Sequence, residues 1–188
     1  ARAPYYLGCL FYDKRNYSEA QRLWERSARQ DDRFATVWRN LALVYYNQCG
    51  DPQKARDVLE RAFSLDTTDA RVLLELDQLY KKLGMAPEER LEHLRRHEQT
   101  MQMRDDLCAE FITLLNLTGR FDEAHAMLMQ RRFHPWEGGE GKMTRQYVCA
   151  LCGMARHAMA EGRPAEALPL LRQALVFPHN LGEGKLES

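Results

Sequence analysis

The sequence predicts an all-α protein of about five stacked helical hairpins, and three observations carry that prediction. A short signature recurs: Arg15-Asn16-Tyr17-Ser18-Glu19-Ala20, Gly50-Asp51-Pro52-Gln53-Lys54-Ala55, Gly119-Arg120-Phe121-Asp122-Glu123-Ala124 and Gly162-Arg163-Pro164-Ala165-Glu166-Ala167. The closing alanines lie 35, 69 and 43 residues apart, so the long interval holds two units, and a degenerate copy, Leu83-Gly84-Met85-Ala86-Pro87-Glu88-Glu89-Arg90, lies between them. A fixed period in this range marks a repeat architecture. Apolar residues flanking the signatures recur three and four apart, the spacing of a helix face. Glycine and proline punctuate the units where a helix ends and the next begins.

Each element follows from its residues. In the leading helix of a unit, Leu7, Gly8 and Phe11 recur as Leu41, Ala42 and Tyr45. The following helix repeats Ala20, Leu23, Trp24 and Ser27 as Ala55, Leu59 and Ala62, then Ala124 and Leu128, then Ala167, Leu171 and Ala174. Small residues at Gly8, Ala42, Ala20 and Ala55 let backbones approach, and Phe11, Tyr45, Trp24 and Leu59 fill the space between pairs. The turn glycine takes positive φ without steric cost; Arg15 stands in that place in the first unit. Pro52, Pro87 and Pro164 open second helices, where a missing N–H costs nothing. In the third unit Arg90 occupies the alanine place, which predicts a displaced or loosely packed helix. Before the last unit a glycine-rich connector runs from 133 to 142, with a helix expected over Tyr147–Met159 and a final helix over Ala165–Val176. A single hairpin cannot bury its apolar faces alone, so the units must stack.

At these residues the sequence resembles the tetratricopeptide repeat, over about residues 4–176. The resemblance implies a right-handed superhelical solenoid, one array across 1–188 with repeats near 4–33, 34–68, 69–103, 104–137 and 143–178. A narrower resemblance lies in the connectors. Phe133-His134-Pro135-Trp136-Glu137-Gly138-Gly139-Glu140-Gly141-Lys142 and Phe177-Pro178-His179-Asn180-Leu181-Gly182-Glu183-Gly184-Lys185 share Gly-Glu-Gly-Lys. With Gln102-Met103-Arg104-Asp105-Asp106-Leu107 they look like the repeat region of large bacterial proteins that carry a preceding β-rich, mutarotase-like domain. That family supplies no activity to transfer to these residues.

Composition excludes several classes. The 188 residues carry 27 basic and 27 acidic side chains, for zero net charge, which removes the electrostatic footprint of nucleic-acid binding. No apolar run approaches the roughly 18 residues of a membrane helix. The opening Ala1-Arg2-Ala3-Pro4, without methionine or signal peptide, is expected of a piece of something longer. Cysteines 9, 49, 108, 149 and 152 are odd in number and irregular in spacing, unlike a disulfide framework. They read as small buried hydrophobes in a reducing compartment, the cytoplasm.

Candidate chemistry is sparse. A P-loop needs glycine five residues before its Gly-Lys and Ser or Thr after it; Trp136 and Met143 stand there, or His179 and Leu186 in the second connector. Thr144 replaces the third glycine of a dinucleotide fingerprint. Cys149 and Cys152 have metal-pair spacing, but only one such pair exists, inside a helix. His93 and His97, four apart, lack the Glu of a catalytic zinc motif. No serine sits in a nucleophile elbow. The chain is expected to be no enzyme and to hold no cofactor or metal.

The groove is more informative. In stacked hairpins the leading helices line the concave surface, and their faces away from the core present Tyr5, Cys9, Tyr12, Arg39, Leu43, Tyr46, Asn47, Arg71, Gln78, Lys82, Thr113, Asn116 and Arg156. Tyrosine and arginine dominate many interfaces. The two-lysine, two-asparagine, one-arginine clamp with which some tetratricopeptide proteins hold chaperone tails is absent, since Tyr5 and Cys9 occupy its first places. A mixed aromatic and basic groove suits an extended peptide or protein segment of some acidic character.

Two functions from different classes follow. The first is a protein–protein interaction scaffold binding through the groove. The second is an accessory module of a carbohydrate-active protein, docking another domain of its parent chain through a loop surface of Trp136, Glu137, Glu140, Lys142, Glu183 and Lys185. Packing of Trp136 and Phe133 between repeats is the competing role for the connectors. The last helix bears Leu168, Leu171 and Leu175 without a capping helix, so homodimerisation of the isolated chain through that end is expected as a by-product.

Overall fold

The computed structural model describes residues 1–182, whose regular structure is entirely helical. It is a helical-repeat fold of two compact units, Ala1–Met85 and Ala86–Ser188. The boundary falls in the loop at the centre of the expected third repeat.

The first unit comprises α1 (Arg2–Asp13), α2 (Tyr17–Gln30), α3 (Ala35–Asn47), α4 (Pro52–Leu65) and α5 (Ala70–Lys82). α1 pairs with α2 and α3 with α4, and each hairpin packs on its successor. The signature alanines Ala20 and Ala55 have no exposed surface, and Trp24, Leu41, Tyr45 and Leu59 are buried between pairs. Truncating a core tryptophan of this kind costs about 3–5 kcal/mol. At Gly8 a β-carbon would lie 2.5 Å from the Trp24 ring, so α1 reaches α2 only with glycine there. Arg15, at φ 60°, adopts the left-handed turn that Gly50, Gly119 and Gly162 take in the other units. Asn16, Asp51 and Asp69 accept backbone N–H groups at the starts of α2, α4 and α5, each cap worth about 1 kcal/mol.

The repeat extends to a polar staple. The Tyr45 hydroxyl donates to Glu25 at 2.9 Å, and one period later Tyr80 donates to Glu60 at 2.8 Å. Burial and the adjoining carboxylate raise the pKa of both phenols.

The second unit comprises α6 (Pro87–Arg96), α7 (Glu98–Met101), α8 (Asp105–Leu117), α9 (Phe121–Gln130), α10 (Lys142–Ala160) and α11 (Pro164–Gln173). Arg90, in the alanine place of the signature, lies on α6, which packs against α8. Its side chain is buried and pairs with Glu110 of α8 at 3.4 Å, while Leu91 and Leu94 remain in the core. α10 begins five residues before the predicted Tyr147, immediately after Gly141 at φ 69°. Its first residue, Lys142, reaches back to Glu110 at 2.6 Å, which draws the helix start forward. α11 ends three residues before Val176, because bonds three residues back tighten the chain as it enters the second connector. Leu168 and Leu171 on α11, with Leu175, Val176 and Phe177 after it, are exposed.

The cysteines form no disulfide. Cys108 is buried as expected, but Cys49 is exposed, because the turn after α3 carries it outward to Gln21. No helix among the described residues is long and apolar enough to cross a membrane.

Candidate functional site: a groove between α3 and α5

α3 and α5 flank a cavity of about 180 Å³ floored by Leu59 of α4. Its walls are Arg39, Ala42, Leu43, Tyr46 and Asn47 of α3, and Glu75, Gln78, Leu79 and Lys82 of α5. The sequence-predicted residues Arg39, Leu43, Tyr46, Asn47, Gln78 and Lys82 therefore share one site. Their common face arises from helix periodicity: 39, 43, 46 and 47 fall on one side of α3, as 75, 78, 79 and 82 do on α5.

Two further cavities continue the groove. Toward the helix starts, Ala35, Thr36, Arg39, Asp66, Asp69, Arg71 and Val72 help enclose about 260 Å³. Toward the helix ends, Tyr46, Gly50, Pro52, Lys82 and Leu83 enclose about 330 Å³. Arg39 joins the first boundary, and Tyr46 with Lys82 joins the second. A 13-residue helix spans about 20 Å, and an extended chain rises roughly 3.3 Å per residue, so about six residues of peptide match the length.

The electrostatics differ from what the arginines imply. Arg39 gives a two-pronged contact to Glu75, at 2.7 and 2.5 Å, and Arg71 adds a third bond to the same carboxylate at 3.3 Å. Arg39 is thus engaged within the protein rather than presented to an anion. The Lys82 ammonium lies 4.6 Å from the centre of the Tyr46 ring, and no described carboxylate pairs with it. Glu75 is the lining residue of this candidate site that sequence reasoning missed. Its signal was present: it lies four residues after Arg71 on the groove face and 36 after Arg39.

The remaining predicted groove residues fall elsewhere. Tyr5 sits between α1 and α3, its hydroxyl accepting from Asn40 at 3.4 Å and its ring edge-on to Phe34. Tyr12 is a correction. Its ring packs 5.4 Å from Trp24 and 5.1 Å from Tyr17, so it belongs largely to the first hairpin. Asn116 is a second correction: it is buried and donates to the main chain and side chain of Gln146, at 3.0 and 2.9 Å, locking α8 to α10. Thr113 turns its hydroxyl onto the Ala109 carbonyl. Arg156 is exposed on α10.

The connectors do lie side by side within the second unit. The Phe133 amide donates to the Asn180 carbonyl at 2.8 Å, and the Asn180 side chain donates to the carbonyls of Leu128 and Arg131. Phe133 is buried. Trp136 is half-buried against Gly139, where a β-carbon would lie 2.3 Å from the ring. A cavity of about 160 Å³ opens among His134, Pro135, Trp136, Gly139, Glu140, Met143, Leu181 and Gly182. Glu137 and Glu140 are exposed, but Lys142, predicted as loop surface, is committed to Glu110 as the first residue of α10. Glu183 and Lys185 lie outside the described residues. Asp105 at the start of α8 anchors this edge, taking Arg131 at 2.6 Å and both the amide and ring of His134 at 2.9 and 3.0 Å.

Comparison with known proteins agrees with the helical-repeat fold. Residues 5–70 match a tetratricopeptide-repeat family model, and residues 150–173 match a second one. The fold is similar to that of YrrB, described as a TPR protein with an unusual peptide-binding site, with a TM-score of 0.60 and 18% identity over 92% of this chain and 83% of that one. It is similar also to MamA, in one structure with a TM-score of 0.58 and 17% identity, covering 93% of this chain and 89% of that one. A second MamA structure gives a TM-score of 0.54 at 18% identity, covering 89% and 92%. At these identities the likeness is one of fold.

Proposed function

We propose that the protein is a non-catalytic interaction scaffold of the tetratricopeptide type, and that it binds an extended protein segment in the groove between α3 and α5. The observation that carries this reading is the row of three cavities lined by aromatic, aliphatic and charged side chains. Peptide recognition in YrrB, an organisation of similar fold, supports it. A mixed lining of this kind gives apolar burial for affinity and a few placed polar groups for orientation. Docking through the connectors is the second reading. The cavity beside Trp136 favours it, but Trp136 and Phe133 are largely spent on packing.

The test is affinity capture from native lysate with the wild type, a Tyr46→Ala/Gln78→Trp double variant and Trp136→Ala, each first shown helical by circular dichroism. Gln78→Trp fills the central cavity from an exposed position, so it blocks the groove without touching the core. A partner lost from the double variant and kept by Trp136→Ala supports the scaffold. A partner lost only with Trp136→Ala contradicts it and leaves the docking module.

A further inference from the structure

The three cavities differ in charge, and the difference assigns a ligand chemistry. The apolar part of the central lining is Ala42, Leu43, Leu59 and Leu79. An apolar cavity of about 150 Å³ holds a benzene ring, so the central space of about 180 Å³ fits one large aliphatic or aromatic side chain. At the helix-start end the lining includes Asp66 and Asp69 with Arg39 and Arg71, and Glu75 already binds both arginines. That end offers no surplus of positive charge.

The other end does. Lys82 lines both the central cavity and the next one, and it has no carboxylate partner among the described residues. Stacking on Tyr46 holds its ammonium in place, which lowers the entropy cost of ordering a long side chain when a ligand arrives. Asp51 caps α4, accepting the Lys54 amide at 2.9 Å, and is not among the residues lining this cavity. Gly50 and Pro52 leave the remaining wall without charge.

Building on the groove reading above, we propose that the bound segment is an internal, extended stretch with one large apolar side chain in the central cavity and an Asp or Glu side chain one or two residues away on Lys82. Because the groove continues past the central cavity at both ends, the occupant runs through it rather than terminating in it. Lys82 is the specificity-determining residue, and Tyr46 positions it.

A random seven-residue peptide library selected on the purified protein tests this, displayed once as an internal segment and once with a free C-terminus. Wild type is expected to enrich a large apolar residue with Asp or Glu within two positions by about tenfold over the input library. Lys82→Glu should enrich Lys or Arg in that place instead, Lys82→Gln should lose the charge preference but keep the apolar one, and Gln78→Trp should enrich neither. Apolar enrichment without acid on the wild type, or acid enrichment that survives Lys82→Glu, overturns the inference while leaving the groove reading intact. Enrichment only with a free C-terminus overturns the internal segment in favour of a chain end. Selection of nothing, or selection unchanged by Gln78→Trp, overturns both.

Discussion

Replacing Asp105 with alanine tests whether the connector is held by one carboxylate. Asp105 opens α8 and is largely buried, with 15% of its side chain exposed. It accepts from Arg131 and from the amide and ring of His134. Hydrogen bonds to charged groups contribute about 1.5–3 kcal/mol each. His134 is exposed and Arg131 partly so, and water replaces their lost partner, which discounts the three contacts to about 3 kcal/mol together. The first-turn charge against the α8 dipole adds under about 1 kcal/mol. Hydrogen exchange read by mass spectrometry should show the amides of 133–142 exchanging roughly a hundredfold faster in Asp105→Ala, with the first unit unaffected. The effect has a pH signature. Burial works to raise the Asp105 pKa, but the His134 amide, Arg131 and the His134 ring outweigh it and hold the group below its ordinary value. The stabilisation is therefore complete above the unfolded pKa near 4, and it is lost as pH falls through the lower folded value. The gap between wild type and variant should narrow as pH falls below about 4 and close once pH is below the lowered folded value. A change under threefold at 133–142, or a gap that persists in acid, would refute the anchoring role.

Further outcomes follow from the same geometry. Gly8→Ala drives a β-carbon into Trp24 and should cost about 1–3 kcal/mol, seen as a lower midpoint in urea unfolding. Arg15→Gly should gain about 1 kcal/mol by relieving the left-handed turn, measured the same way. Burial, then the charges of His97 and Arg96, pushes His93 down to about 4. The unfolded chain takes up that proton near 6.5, so stability of the second unit should fall as pH drops from 6.5 to 4 and then level, by about 1–2 kcal/mol from this partly exposed group once solvent screening is counted. His93→Gln should flatten that slope, as judged by unfolding titrations at pH 7 and 4.5.

The period and the stripes made the fold legible. Ala20, Ala55, Ala124 and Ala167 are buried as the repeat requires, because a small residue at a helix crossing is dictated by the local spacing alone. Half of the groove was legible for the same reason, since a residue's helix face follows from its number. What failed depends on neighbours distant in sequence. Asn116 has a groove-like position but is buried against a partner, Gln146, thirty residues on. Tyr12 lies near the end of α1, where the ring turns onto Trp24 instead of into the groove. Lys142 looked like loop chemistry because its partner, Glu110, belongs to another repeat. Arg39 lies on the expected face of α3, but its guanidinium is paired with Glu75, a neighbour 36 residues on. The tyrosine staples at Tyr45 and Tyr80 could have been found: the twenty-residue Glu-to-Tyr spacing recurs at the repeat period.

The central claim is that partners enter between α3 and α5. It is tested most directly by placing a photo-crosslinking benzoylphenylalanine at Gln78, or in a second protein at Glu137, and irradiating each in native lysate. The account predicts adducts at position 78 that disappear when Leu43→Arg fills the groove, with little at 137. Adducts at 137 alone, or adducts at 78 indifferent to Leu43→Arg, would contradict it.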